Sequence, residues 1–437
     1  MSPHMLRAEG EAPPAEERYG EHTAPLPRVY LLHWFFFLAF GAGVPFFSLY
    51  FKRVLLLPGG EPAVRLIGSV FFVQSLAGIA ALPLAGLLSD RFRMERGILA
   101  LCSVMVAAGA ALMLAPGLAA GPTPLERAYP FILAGALLNG VFIKPIVPLI
   151  DSAVLRALRA RHGHGESYGG VRWIGSLGWT VSVCALGWAL ARTGWLPLTV
   201  LCYGGGFLVL ALVALRGVRT AIRPVPIPWE HLRGDRTFHR FLLFAFVQSF
   251  GFSGSYHFTS YFMDDARTGY LVIGLAMGLA ALPEIPIMLR SRRLLAVMGN
   301  RGMIAAGTGV QAVKLFGFVL VVLLGRPWWF IAVNLLHGIG FSLMYTGMVN
   351  LADRQAHPDL RATYQNLFHL SWTLATAFGG LFASFVINAL GSTWLMGIDG
   401  AILAAAVAYF AWAVGIRAPR EGRIERARSG SGDSPHG

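Results

Sequence analysis

Twelve runs of roughly twenty mostly apolar residues divide this chain of 437 residues, and few structures are open to such runs. In a hydrocarbon layer every backbone N–H and C=O must find a partner inside the protein, which leaves helices as the solution for separate runs of this length. The first six fall near 28–53, 64–88, 98–118, 129–151, 168–192 and 195–217. The second six fall near 238–262, 270–290, 302–325, 327–352, 362–388 and 392–416. Proline interrupts some of them, as Pro145 and Pro148 do in the fourth, and neighbouring helices can re-pair the freed backbone groups. The expected fold class is therefore all-α integral membrane, with twelve transmembrane helices.

Composition agrees, with 55% hydrophobic and 13% charged residues, which excludes an ordinary soluble enzyme of this length. The net charge of +14 lies in short loops between apolar runs, so no basic domain exists to hold a duplex and no nucleic-acid partner is expected. Cys102, Cys184 and Cys202 all fall inside apolar runs, which argues against a disulfide or zinc framework. The first 27 residues are polar and lack the basic-then-apolar pattern of a cleaved signal, so the first run is expected to stay in the membrane. Of the 36 lysines and arginines, 26 fall in the tails and the segments on the tails' side. The opposite loops hold Lys52, Arg53, Arg65, Arg127, Arg192, Arg267 and Arg326. By the positive-inside rule both termini are expected in the cytoplasm, in a multi-pass protein of the cell (inner) membrane.

A basic, Pro-rich stretch from Arg216 to Arg240 separates the two sets of six. The organisation expected is a cytoplasmic tail over 1–27, a six-helix bundle over 28–217, a linker over 218–237, a second bundle over 238–417 and a tail over 418–437. The halves echo one another. Ala81-Leu82-Pro83 in the second run matches Ala281-Leu282-Pro283 in the eighth, 200 residues on, and Tyr168 matches Tyr364 after 196. Such spacing fits two repeats related by an axis along the membrane normal.

The residues that bear on function are charges at bilayer depth: Lys144, Asp151, Arg172, Glu284 and Lys314, with His337 beside them. Each costs at least ~2.5 kcal/mol in hydrocarbon and so faces a partner or a watery cavity. They fall in both halves, as a polar cavity through a bundle requires. Lys144 and Asp151, seven residues apart, suit either an internal ion pair or contact with a solute. No metal-ligand spacing such as His-x-x-x-His and no nucleophile elbow occurs, so neither a cofactor nor a metal is called for. His162 and His164, in a Gly-rich loop, read as a solvated turn.

After the second run the chain reads Gly86-Leu87-Leu88-Ser89-Asp90-Arg91-Phe92-Arg93-Met94-Glu95-Arg96. This resembles the Gly-x-Leu-x-Asp-Arg loop of the major facilitator superfamily. The resemblance implies a cytoplasmic gate formed by Gly86, Asp90, Arg91, Arg93 and Arg96, which latches the bundles in one state and breaks in the other. The counterpart from Arg290 to Arg301 keeps its basic residues without the Asp.

The fifth run, Tyr168-Gly169-Gly170-Val171-Arg172-Trp173-Ile174-Gly175-Ser176-Leu177-Gly178-Trp179, is similar to the lactose permease branch, which includes oligosaccharide, nucleoside and phenylpropionate proton symporters. There the Arg grips sugar hydroxyls and the Trp stacks on the ring, roles the resemblance gives to Arg172 and Trp179; a guanidinium fork beside an aromatic plate suits a polyhydroxylated ring. Lys314 stands where that branch carries a buried Arg, and His337 aligns with its coupling-linked His. The branch's proton-carrying Glu would fall at Gly340, and its carboxylates of the seventh run at Phe252 and Ser255. Glu284 lies one turn beyond the aligned acidic position, Ala281.

The expected function is secondary active transport of a small polar solute by alternating access, with proton-coupled uptake of a sugar or oligosaccharide the leading reading. Arg172, Trp179, Asp151, Lys314, His337 and Lys144 are the expected substrate contacts, Glu284 the first proton carrier and Asp151 the second. The surplus of Lys144, Arg172 and Lys314 over two carboxylates equally suits an aromatic or organic acid; a nucleoside, export, and a non-transporting assembly or sensor role stay open. The partners expected are the solute, protons and the bilayer, with the protein a monomer.

Overall fold

The computed structural model describes residues 26–92, 97–119, 123–159, 168–216, 235–355 and 361–415; over 26, 80–92, 152, 155–159, 168–171 and 361–363 it describes the backbone alone. Both tails, the central linker, His162, His164, Arg93 and Arg96 therefore lie outside the described residues, and the gate cluster is described only as the helical backbone of Gly86, Asp90 and Arg91.

Each of the twelve apolar runs is helical. Span one is Leu26–Gly43, a tight turn Val44–Phe46 holding Pro45, and Phe47–Val54. Span two is Val64–Phe92 and span three Ile98–Leu114. Span four is broken into Leu125–Ile143 and Ile146–Arg159. Spans five and six are Tyr168–Thr193 and Pro197–Leu215. Span seven is Arg236–Asp265, and span eight is broken into Tyr270–Leu279 and Glu284–Leu289. Span nine runs Ser291–Leu324 with a kink at Gly299, whose φ of 65° suits glycine. Spans ten, eleven and twelve are Trp329–Gln355, Arg361–Leu390 and Ser392–Ala413.

Ten of these segments are long and apolar enough to cross a membrane, and Val64–Ile79 is a shorter apolar helix. Span seven is the polar exception for a physical reason. Its Gln248, Ser249, Ser253, Ser255, Thr259 and Ser260 are all buried, so it faces protein rather than lipid.

The packing repeats. In the first half, span one packs on five and six, three on four and six, and two on four. Adding six to each number gives the second half: seven on eleven and twelve, nine on ten and twelve, eight on ten. The same rule relates the two broad contacts between halves, two on eleven and eight on five. This is the two-bundle, twelve-helix arrangement expected of the sequence. The matched Ala-Leu-Pro triplets differ in outcome, however. Pro83 lies within a continuous helix, whereas Pro283 ends the break in span eight.

Small residues set how closely the helices approach. A Cβ on Gly135 of span four would lie 2.5 Å from the Gly109 carbonyl oxygen and 2.6 Å from Met113 Cγ of span three. Gly205, in the middle of span six, has nothing within 4 Å. Gly135→Val should therefore destabilise the folded protein by about 1–3 kcal/mol, because backbone blocks the new methyls. Gly205→Val should leave the unfolding midpoint in detergent close to wild type; equal shifts in thermal melts would contradict this packing.

Candidate functional site

The break in span eight organises the site. Pro283 has no N–H, so the helix ends at Leu279 and carbonyls upstream lose their usual partners. Span five supplies replacements. Trp179 Nε1 donates to the Met277 carbonyl at 3.2 Å, and Thr180 Oγ1 lies 3.0 Å from the Gly278 carbonyl oxygen. One turn along, the Gly187 and Gly274 backbones meet so closely that a Cβ on Gly187 would lie 2.5 Å from Gly274 Cα. Beyond the break Glu284 opens the second half-helix, and Ser176 Oγ of span five donates to Glu284 Oε2 at 3.1 Å. Arg172, one turn before Ser176, is within electrostatic range of Glu284.

The indole N–H of Trp179 is spent on the span-eight backbone, and its ring leans on Phe40 with centroids 5.9 Å apart. Arg172 instead lies over Phe37 of span one, its Cζ 5.1 Å from the ring centroid.

The break in span four separates Lys144 from Asp151, so their heptad spacing does not run along one helix. Lys144 lies across Gly78 of span two, where a Cβ would come within 2.6 Å of Lys144 Cγ. Its ammonium is within electrostatic range of His257 on span seven and His369 on span eleven. Asp151 meets His33 of span one, Nε2 to Oδ1 3.5 Å. Tyr345 of span ten is within electrostatic range of both Asp151 and Arg172, so the two halves converge there.

In the second bundle Lys314 is 2% exposed, held between the rings of Phe252 and Phe318 at 5.7 and 5.5 Å. It is within electrostatic range of His337 and of Asp399 on span twelve. Asp399 is 1% exposed and its Oδ2 accepts the Ser255 backbone N–H at 2.9 Å. Gly254 makes that approach possible, since a Cβ there would fall 2.3 Å from the same oxygen. His337 stacks between Phe252 and Phe341, at 5.8 Å and 18° and at 5.8 Å and 9°. Phe341 stacks in turn on Tyr345, and Trp372 sets its edge to Tyr345, so rings line this wall continuously. Gly340, where the lactose permease branch would carry a Glu, is a point of helix contact; a Cβ there would lie 2.9 Å from the Gly307 carbonyl oxygen.

Sequence reasoning missed Asp399 and His33. Asp399 sits mid-run in span twelve and meets the same depth criterion as Glu284. His33 carried no such signal, because a single His near a helix start is ordinary and its partner is 118 residues away.

The end of the bundle remote from the tails is closed by charge. Lys52 Nζ of span one lies 2.6 Å from both Asp264 Oδ2 and Asp265 Oδ1 of span seven, and 4.4 Å from the centroid of the Tyr261 ring. Arg53 reaches Asp264 at 3.7 Å, Ser392 Oγ donates to Asp265 Oδ2 at 2.6 Å, and Ser48 and Ser260 share a hydrogen bond at 3.0 Å.

Comparison with known proteins places this geometry. The chain is 26% identical over 369 residues to the uncharacterized transporter YwbF of Bacillus subtilis (strain 168), covering 83% of this chain and 85% of that protein. It is 25% identical over 375 residues to a maltose permease of Geobacillus stearothermophilus, covering 84% and 88%. Among solved structures it resembles the nucleoside transporter NupG, with a TM-score of 0.66 at 15% identity over 90% of this chain and 99% of that one. It also resembles a D-xylose-proton symporter, with a TM-score of 0.68 at 14% identity over 88% and 97%. These relatives and structural neighbours are transporters, not enzymes, and so is this multi-pass membrane protein. Residues 28–396 match the model of the MFS_1 like family, and the chain belongs to that family of the major facilitator superfamily.

Proposed function

We propose that this transporter takes up a small neutral solute bearing a ring, a sugar or oligosaccharide first, together with a proton. The observation that carries the reading is charge balance. With Asp399 counted, Lys144, Arg172 and Lys314 face three interior carboxylates, Asp151, Glu284 and Asp399. The cationic surplus that favoured an organic acid therefore disappears, and a neutral solute leaves the interior charges matched. Arg172, placed between the halves near Glu284 and the Asp151 region, is the group to grip hydroxyls. The ring wall from Phe252 through His337, Phe341 and Tyr345 to Trp372 is the surface for the apolar face of a ring. The maltose permease relative favours a glucoside; the same ring wall also suits a nucleoside, the second reading.

Lys144 and His337 are placed as further solute contacts, Lys314 as the cation that holds Asp399 and His337, and Glu284 as the carboxylate that follows Arg172 from the opposite bundle. We place both termini in the cytoplasm of the cell that carries this protein in its inner membrane, with the bundles divided at 28–217 and 238–417 and the protein acting as a monomer. Gly86, Asp90, Arg91, Arg93 and Arg96 form the cytoplasmic latch in this reading, and the Lys52 cluster is its counterpart at the outer end.

Two outcomes test this. Uptake of labelled maltose into proteoliposomes should show an at least tenfold higher half-saturating concentration for Arg172→Lys, since an ammonium cannot reproduce a forked, charge-assisted pair worth about 1.5–3 kcal/mol. Unchanged affinity would remove Arg172 from the site. In a cysteine-free background, Ser260→Cys should react several-fold faster with a membrane-impermeant maleimide once Lys52→Ala is added, because the closing charge is gone. Equal rates would show that Lys52 does not hold the outer end shut.

A further inference from the structure

His33 is the ionisable side chain whose surroundings the proposed function does not use. It is 2% exposed, at the end of span one that lies toward the tails, and its two ring nitrogens are treated differently. Nε2 lies 3.5 Å from Asp151 Oδ1, and Nδ1 is buried with no hydrogen-bond partner among the described residues. A carboxylate beside Nε2 suits a ring that carries a proton on that nitrogen, with Nδ1 as the second nitrogen a proton can join. The Asp151 side chain is 29% exposed, so the pair is not sealed within the protein.

The charged and titratable groups around His33 are few. The helix that carries His33, Leu26–Gly43, packs on spans four, five and six. Span four brings Asp151 and span five Arg172, whose guanidinium covers Phe37; His33 stacks on the same ring at 6.4 Å and 16°. Span six offers Tyr203, already bonded to Asn139, and Cys202, which is exposed. Across the cavity His369 and Tyr345 are within electrostatic range of Asp151. The other interior histidines have cations within electrostatic range, His337 Lys314 and both His257 and His369 Lys144, and His369 has Asp151 as well.

We infer that His33, paired with Asp151, is the group that holds the transported proton. This rests on the proposed proton-coupled reading and moves the carrier from Glu284 to span one. One proton taken up at Nδ1 gives an imidazolium whose Nε2–H faces the Asp151 carboxylate; no bond to a heavy atom forms or breaks. The new positive charge engages the Asp151 carboxylate, an expected solute contact, so protonation and solute binding each change the other's affinity to the same degree.

The test uses the full chain in proteoliposomes containing a pH-sensitive dye, with maltose, D-xylose and uridine as probes. Wild type should show solute-driven proton entry and accumulation under an imposed proton gradient. His33→Asn should lose both at least tenfold while retaining exchange of labelled for unlabelled solute, which needs no net proton movement. Its solute affinity should no longer change with pH. His33→Gln, whose longer amide also reaches Asp151, replaces it if the Asn variant does not give monodisperse protein. Undiminished proton entry in a folded His33 variant overturns the assignment and leaves coupled transport intact. Absence of proton entry in wild type with every probe overturns the coupled reading itself, and this assignment with it.

Discussion

A proline in the middle of a membrane helix sets the terms for the rest of this molecule. Pro283 cannot donate to Leu279, span eight stops there, and the next turn tightens so that the Leu282 N–H pairs with Leu279 and the Ala281 N–H lies 3.4 Å from the Gly278 oxygen. Span five completes the pairing, with Trp179 on Met277 and Thr180 beside Gly278. The repair is what brings the two bundles together along this line, and it also aims the restarted helix so that Glu284 reaches Ser176 in the neighbourhood of Arg172. One local defect thereby creates both an interface and a charged site that spans it. Span four uses the same device, since its break at Lys144 and Pro145 lets Lys144 and Asp151 serve different neighbours.

The charges explain why such a site can exist in a bilayer. An isolated charge at this depth is expensive, and each of the interior carboxylates has company: Asp151 with His33, Glu284 with Ser176 and Arg172, and Asp399 with the Ser255 amide and Lys314. The groups near the centre face across the boundary between bundles or onto aromatic rings, while Lys52 with Asp264 and Asp265 closes the remote end. Ion pairs that bridge the halves are well suited to alternating access, because rocking the bundles exchanges one set of partners for another at little net cost.

Much of the fold was legible in the chain, because hydrophobic run length in a membrane is a nearly sufficient signal. The positions of the twelve helices and the doubling of the architecture followed from run lengths and from Ala81-Leu82-Pro83 and Ala281-Leu282-Pro283. Local detail was less so. Identical Ala-Leu-Pro triplets sit in an unbroken helix in one half and a broken one in the other, where a second proline, Pro286, follows three residues on. Depth alone pointed to Arg172, Glu284 and Lys314, and it points equally to Asp399, whose importance emerges once Gly254 opens the way to Ser255. Trp179 shows what spacing leaves out: the seven-residue interval puts it on the face of Arg172, and its N–H meets the Met277 carbonyl, a partner invisible in sequence. His33 and Asp151 belong to different spans, and only the packing of span one on span four joins them.

The central claim is that the interior, balanced in charge, moves a neutral solute with a proton. Charge movement on a solid-supported membrane coated with wild-type proteoliposomes tests it directly, because a neutral solute with one proton carries net charge whereas an organic anion with one proton carries none. The account predicts a transient current of positive charge in the direction of solute flow on addition of a sugar or nucleoside. Transport of an aromatic acid anion without current, and no response to sugars or nucleosides, would contradict it.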